Sequence, residues 1–190
     1  MWTLLVGLLI FLGVHSISIA NHPLRDRLAS GWGLPVFKGV FSLASLVGLI
    51  LIIWGYGIAR QDPVVIYTPP LWLRHIAMLL LLPVFTLVIA AYFPGRISHA
   101  LKHPLLVAVK LWALAHLLTN GTLADIVLFG GFLAWAVADR ISLKKRPARV
   151  TPSLPASGAN DGIALAGGLV VYLLMVFKLH AWLIGVSPMG

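Results

Sequence analysis

Apolar residues gather in six long blocks, at approximately 3–20, 38–59, 71–93, 104–120, 122–139 and 163–186, separated by short polar segments. Most blocks meet the ~17–25 residues that a membrane-crossing helix needs. The fifth is short, which suits a tilted or partly interfacial helix. The first opens on Met1-Trp2-Thr3 with no basic n-region, and no A-x-A cleavage site follows, so it reads as a retained helix rather than a signal peptide. The expected fold is all-α: a polytopic transmembrane helix bundle of about six spans, forming a single domain over residues 1–190.

Composition makes the membrane assignment firm. The chain is 60% hydrophobic and only 10% charged, with a mean hydropathy of +0.99. Soluble domains average about 25% charged residues, and so few charges could not cover the apolar surface of a soluble domain. Orientation follows from where the cations lie. Loops one, three and five hold Arg25, Arg27, Lys38, Arg96, Lys102, Arg140, Lys144, Lys145, Arg146 and Arg149, against only Arg60 and Arg74 in loops two and four and the termini. By the positive-inside rule, both termini face away from the cytoplasm of a bacterial inner membrane. The net charge of +9 is then loop charge that meets anionic lipid head groups, and no nucleic-acid partner is expected. Trp2, Tyr67, Trp72, Tyr92 and Trp182 lie near block ends and read as interfacial anchors. The stretch 144–162 is basic and then rich in Pro, Ser, Ala and Gly, the composition of a mobile cytoplasmic linker before the last helix.

Candidate chemistry is narrow. There is no cysteine, which excludes disulfides, iron–sulfur clusters and thiolate ligands. The five acids are all aspartates, Asp26, Asp62, Asp125, Asp139 and Asp161, too few for a carboxylate metal cage. His15 and His116 stand out because each falls near the middle of an apolar block. Ionisable groups at that depth are costly, face the bundle interior and are functional-site candidates. Entering from outside near Thr3, the first helix carries His15 about 18 Å inward; entering from inside near Pro104, the fourth carries His116 about 18 Å outward. Across a ~30 Å core the two heights differ by only about 6 Å. Both imidazoles therefore suit one midplane site, as a bis-histidine haem requires. The plainer alternative is that each histidine hydrogen-bonds a neighbouring helix. Zinc fits less well, because it takes three or four protein ligands.

Other polar positions have local readings. His103-Pro104 opens the fourth helix, with Pro at its first turn, so His103 is a boundary residue: a cap, a head-group contact or a propionate partner. Trp112, one turn before His116, shares its face and either packs on a macrocycle or packs on a neighbouring helix. Asn120, one turn after, either orients the imidazole or caps the helix with Gly121. Asp139-Arg140 closes the fifth block as an adjacent ion pair or a head-group contact. His180 and Lys178 lie in the last helix near the outer boundary.

The string His103-Pro104-Leu105-Leu106, then Leu111-Trp112-Ala113-Leu114-Ala115-His116-Leu117-Leu118 and Asn120-Gly121, resembles the NnrU family. So do Phe11-Leu12-Gly13-Val14-His15-Ser16 and the Trp135 helix ending in Asp139-Arg140, and the likeness covers essentially the whole chain. The resemblance implies an association with nitrite and nitric oxide reduction in denitrifying bacteria. It also implies a distant similarity to 15-cis-zeta-carotene isomerase, an integral membrane haem b enzyme. By that likeness the axial ligands map onto His15 and His116. A remoter likeness to isoprenylcysteine-type methyltransferases is weakened by Lys102, which stands where their arginine precedes His-Pro.

The leading expectation is therefore an NnrU-like membrane protein that binds b-type haem through His15 and His116, with Trp112, Asn120 and His103 near the cofactor, in nitrogen-oxide or other redox chemistry. One alternative is a haem-dependent cis–trans isomerase of an apolar polyene. Another is a non-enzymatic accessory protein without a cofactor, and a small transporter using Lys178 and His180 is a third. A small gaseous or apolar ligand needs an open iron position, which a six-coordinate haem lacks unless one histidine leaves.

Overall fold

The computed structural model describes residues 1–147 and 153–189. It is all-helical, with no strand among the described residues. In order the helices are α1 (Trp2–Ala20), α2 (His22–Gly31), α3 (Leu34–Ala59), α4 (Leu73–Leu81), α5 (Val84–Tyr92), α6 (Arg96–Leu101), α7 (Pro104–Thr119), α8 (Leu123–Ser142), α9 (Ala159–Leu174) and α10 (His180–Ile184). A π-helical turn, Met175–Leu179, joins α9 to α10. Pro83, which has no N–H to give a helix, separates α4 from α5.

Four stretches are long and apolar enough to cross a membrane: Trp2–Ala20, Leu34–Ala59, Leu73–Tyr92 and Ala159–Ile184. Helix α7, with 16 residues, spans about 24 Å, short of a ~30 Å hydrocarbon core. Helix α8 has 20 residues but carries Asp125, Asp139 and Arg140 near its ends. Large apolar side chains such as Leu9, Leu43 and Ile53 are exposed along these helices, as lipid contact requires. The chain is a membrane protein. Two short helices, α2 and α6, fall outside the apolar blocks. Asn21 starts α2 by accepting the Leu24 N–H at 2.9 Å, with Pro23 in the first turn.

The chain forms two compact units: Met1–Pro69 with Asn120–Ala148, and Pro70–Thr119 with Arg149–Gly190. In the first, α1 lies antiparallel on α3 through glycines. A Cβ on Gly7 would meet the Ile52 nitrogen at 2.6 Å, and one on Gly48 the Phe11 nitrogen at 2.8 Å; one on Gly55 would strike the Leu4 backbone. Leu4, Gly7 and Phe11 thus step down α1 by three and four residues while Gly55, Ile52 and Gly48 step up α3. Small residues at such spacing let backbones approach, which is how helices associate where lipid removes the hydrophobic drive. The next residue of that row, one turn after Phe11, is His15. The start of α8 is held by the loop after α3: Leu123 N–H donates to the Val64 carbonyl, and Ile66 and Tyr67 N–H both donate to the Gly121 carbonyl.

In the second unit, Gly168 of α9 presses on Thr86 of α5, where no side chain would fit. Val84, Leu87 and Ala108 form a small core, against which Leu111 and Trp112 of α7 pack. The stretch 144–162, expected as a linker, divides. Residues 148–152 lie outside the described residues, whereas Ala159 onward is helical. Asp161 accepts the Arg96 and Ile97 N–H groups at 2.8 and 3.1 Å, capping α6, and Asn160 Nδ2 donates to the Pro94 carbonyl at 2.8 Å.

A γ-turn centred on Lys102 (φ 61°, ψ −38°) connects α6 to α7, closed by His103 N–H on the Leu101 carbonyl at 2.7 Å. This conformation is rare and strained for any residue with a Cβ. Lys102→Gly is expected to raise thermal stability in detergent, by up to about 1 kcal/mol. For the helix pair, Gly55→Ala is expected to cost roughly 1–3 kcal/mol by overpacking. Gly57→Ala, where a Cβ meets nothing within 4 Å, should be neutral or gain about 0.5–1 kcal/mol. Equal melting shifts for the two alanines would contradict the packing described.

Candidate functional site

His15 follows from the α1–α3 register. Its Nδ1–H donates to the Phe11 carbonyl one turn back, at 2.6 Å. Since a carbonyl only accepts, Nδ1 carries the proton and Nε2 the lone pair, the tautomer that imidazole uses to bind metals through Nε2. Aromatic rings surround it. Phe11 stacks at 4.4 Å between centroids, Phe41 of α3 meets it edge-on at 4.9 Å, and Trp135 of α8 stands perpendicular at 6.0 Å. The Trp135 indole N–H is buried and has no hydrogen-bond partner among the described residues. A buried donor left unpaired is costly and points to an acceptor supplied by something else. Nearby, Phe41 also lines an apolar cleft of about 110 Å³ with Val14, Ile17, Phe37 and Trp32. That volume is well below the ~300–1,000 Å³ of small-molecule sites, so the cleft suits a short apolar segment and not a macrocycle.

His116 repeats the arrangement in the other unit. Its Nδ1–H donates to the Trp112 carbonyl at 2.8 Å, and the Trp112 ring lies 5.3 Å away. Trp112 therefore serves both as the carbonyl that sets the tautomer and as a ring that packs between His116 and the α5–α7 core. His180 of α10, expected near the outer boundary and not at the cofactor, lies beside His116. Its ring lies 6.4 Å from that of His116 at an interplanar angle of 23°, and its Nδ1–H donates to the Val186 carbonyl at 2.7 Å. No sequence motif marks the pairing of residues 64 positions apart; only the interruption of the last helix singles out its surroundings.

The remaining candidates take other places. His103 sits directly before α7 and gives its carbonyl to Leu106 and Val107, the start-of-helix role that His-Pro implies. It is 13 residues from His116, about 20 Å along the helix. Asn120 follows the last residue of α7, and its carbonyl accepts the Tyr67 hydroxyl at 2.8 Å. Asp139 pairs with Arg146 at 2.6 Å rather than with adjacent Arg140, since neighbours on a helix point about 100° apart while the chain beyond Ser142 turns back. Asp125, which sequence reading left without a role, is 4% exposed and accepts from Tyr56 and Thr122 hydroxyls at 2.6 Å each. The Thr-x-x-Asp spacing of a capping box was the available signal.

His15 and His116 thus lie in different compact units, each with its own aromatic surroundings. Donor chemistry fits haem: imidazoles with Nδ1 committed to backbone carbonyls, and no competing group of three or more His, Asp or Glu among the described residues. Over residues 3–188 the chain matches the family described as NnrU protein, and it belongs to that family. No curated protein and no solved structure matches it.

Tyr67 provides a test of the α7–α8 connection. Partial burial and then the Asp125 charge raise its phenol above the usual value near 10. A raised phenol favours the protonated donor, so its bond to Asn120 contributes below the unfolded pKa and is lost as pH rises through the folded one. Tyr67→Phe should cost about 0.5–1.5 kcal/mol at pH 7, and the gap to wild type should close above pH 10. A gap unchanged at pH 11 would remove that bond from the account.

Proposed function

We propose that this NnrU-family protein crosses the bacterial inner membrane six times, with both termini outside the cytoplasm, and binds b-type haem through histidine. Its role is in nitrite and nitric oxide metabolism or a related redox reaction. His15 and His116 are the candidate iron ligands. The reading is carried by one observation: each donates Nδ1–H to the carbonyl four residues earlier, which presents Nε2 with its lone pair and holds the ring orientation. When bound, haem would supply a one-electron redox centre. The chain's own groups would orient the imidazoles, exclude water with Phe11, Phe41 and Trp112, and offer the Trp135 N–H to an acceptor.

A second reading is a haem-dependent isomerase of an apolar polyene. The apolar cleft that shares Phe41 with His15 favours it, because such a surface accepts hydrocarbon and not a charged oxyanion. A cofactor-free accessory protein is the outcome if no haem binds.

Absorption spectra of protein purified in mild detergent from haem-replete cells test the proposal. A Soret band is expected that shifts on reduction and is lost in His116→Ala. His15→Ala reports separately: a retained low-spin band takes His15 out of the coordination sphere and leaves the haem reading standing. Folded, colourless wild type would overturn that reading. For topology, a C-terminal alkaline phosphatase fusion should be active and a C-terminal green fluorescent protein fusion dark; the reverse contradicts the orientation.

A further inference from the structure

A short polar helix closes the end of the first unit where α1 stops and α3 starts. Helix α2 is bracketed by Asn21, whose side chain accepts the Leu24 N–H, and by Gly33 at φ +79°, and it packs on both α1 and α3. Between the three helices lies the apolar cleft of about 110 Å³. Val14 and Ile17 of α1 form one wall, Leu28 of α2 another, and Phe37 and Ala44 of α3 the third. Its rim is open: Val40 is 49% exposed and Trp32 50%. Val14 lies about 9 Å before the end of α1, and Ala44 about 15 Å past the start of α3. The cleft therefore runs from the helix ends into hydrocarbon depth.

Its surroundings decide what fills it. Water finds no hydrogen-bond partner on such walls, and an empty void forfeits the dispersion contacts of its lining. A hydrocarbon chain meets both conditions. Yet a chain already in the bilayer gains no hydrophobic free energy on entering, because lipid tails are as apolar as the walls. Preference for one occupant must then come from its polar end. There the cleft has a cation: Arg25 lays its guanidinium over the Phe37 ring, 4.9 Å from the centroid. Stacking on the ring fixes the plane and leaves the N–H donors along its edge. One N–H goes to Asp26 at 3.0 Å, and Asp26 also meets His22 Nδ1 at 3.3 Å, so that carboxylate is shared. The rest of the planar fork suits a phosphate. Arg27 and Lys38 are exposed, and residues 25–38, which carry most of the rim, hold these three cations against the one acid Asp26.

We propose that the α1–α2–α3 cleft holds one acyl chain of an anionic phospholipid, with the lipid phosphate on the Arg25 guanidinium. A neutral hydrocarbon would fill the same walls but give that cation nothing; a phosphate adds charge-assisted hydrogen bonds at the one polar point of the rim. The choice of the cytoplasmic leaflet rests on the orientation proposed above, which the fusion proteins test separately. The lipid chemistry rests on neither that orientation nor haem.

Native mass spectrometry of the whole chain in detergent, titrated with dioleoyl phosphatidylglycerol or dioleoyl phosphatidylcholine, tests the head group. The first phosphatidylglycerol should bind about fivefold more tightly than the first phosphatidylcholine. Arg25→Gln should bring the two to parity, and Arg25→Lys, which keeps the charge, should retain the preference. Lys144→Gln removes the same charge from an exposed position past α8 and should change nothing. Equal losses in Arg25→Gln and Lys144→Gln would mean bulk attraction and overturn the site. Position is tested in vesicles of phosphatidylcholine containing a phosphatidylglycerol with a diazirine on its acyl chain. Light should label residues 14–17 and 37–44 above other lipid-facing segments, and less so in Arg25→Gln. Uniform labelling of the apolar helices overturns the proposal. Cleft labelling without any preference for phosphatidylglycerol overturns the anionic head group and is what a neutral polyene in the cleft would give.

Discussion

Hydrocarbon offers no hydrogen-bond partners, and that single constraint organises the polar chemistry of this protein. Every polar side chain carried into an apolar helix either finds a partner within the chain or costs several kcal/mol. The cheapest partner is the carbonyl one turn back. Ser45 takes that of Phe41 and Thr119 that of Ala115, by hydroxyl. His15 and His116 take theirs by Nδ1. For a hydroxyl the bond ends the matter. For an imidazole it leaves a second nitrogen, with a lone pair, directed away from its own helix. The same economy that makes histidine tolerable in the bilayer leaves it the donor chemistry that the proposed haem site calls for.

Close backbone approach supplies the rigidity that such presentation needs. Gly7, Gly48 and Gly55 bring α1 and α3 together, and Phe11, whose carbonyl accepts the His15 Nδ1–H, is fixed by contact with Gly48. His15 inherits its position from this register and not from any bond of its own to another helix. In the second unit Gly168 against Thr86 plays the equivalent part, fixing α9 on α5, while the small core around Val84, Leu87 and Ala108 holds α7 through Trp112. The two candidate histidines are thus products of two separate packing arrangements.

Strain and irregularity gather near the candidate groups: the γ-turn at Lys102 before His103, the π turn before His180, the left-handed Gly185 after it. Each departs from ideal helix geometry where a regular continuation would aim a side chain or a helix elsewhere. The Trp135 N–H beside His15, buried with no acceptor among the described residues, belongs with them, since a buried donor without an acceptor persists only where something compensates it.

Residue order alone determined the helical class and most block boundaries to within a few residues, and it singled out His15 and His116 as polar positions inside apolar helices, where the structure leaves both part-buried. These depend on local hydrophobicity and on helical rise, both written along the chain. The family was legible for the same reason, through the His-Pro and Leu-Trp-Ala-x-Ala-His strings. Tertiary structure alone decided that α2 and α6 are helices, since short polar segments acquire helicity from capping and docking rather than from apolar periodicity. It decided that Asp139 meets Arg146, that Asp161 caps α6, and that His180 lies against His116. Each of those is a contact between residues seven to sixty-five positions apart, set by how helices turn back and pack. No pattern in a window of sequence encodes such a distance.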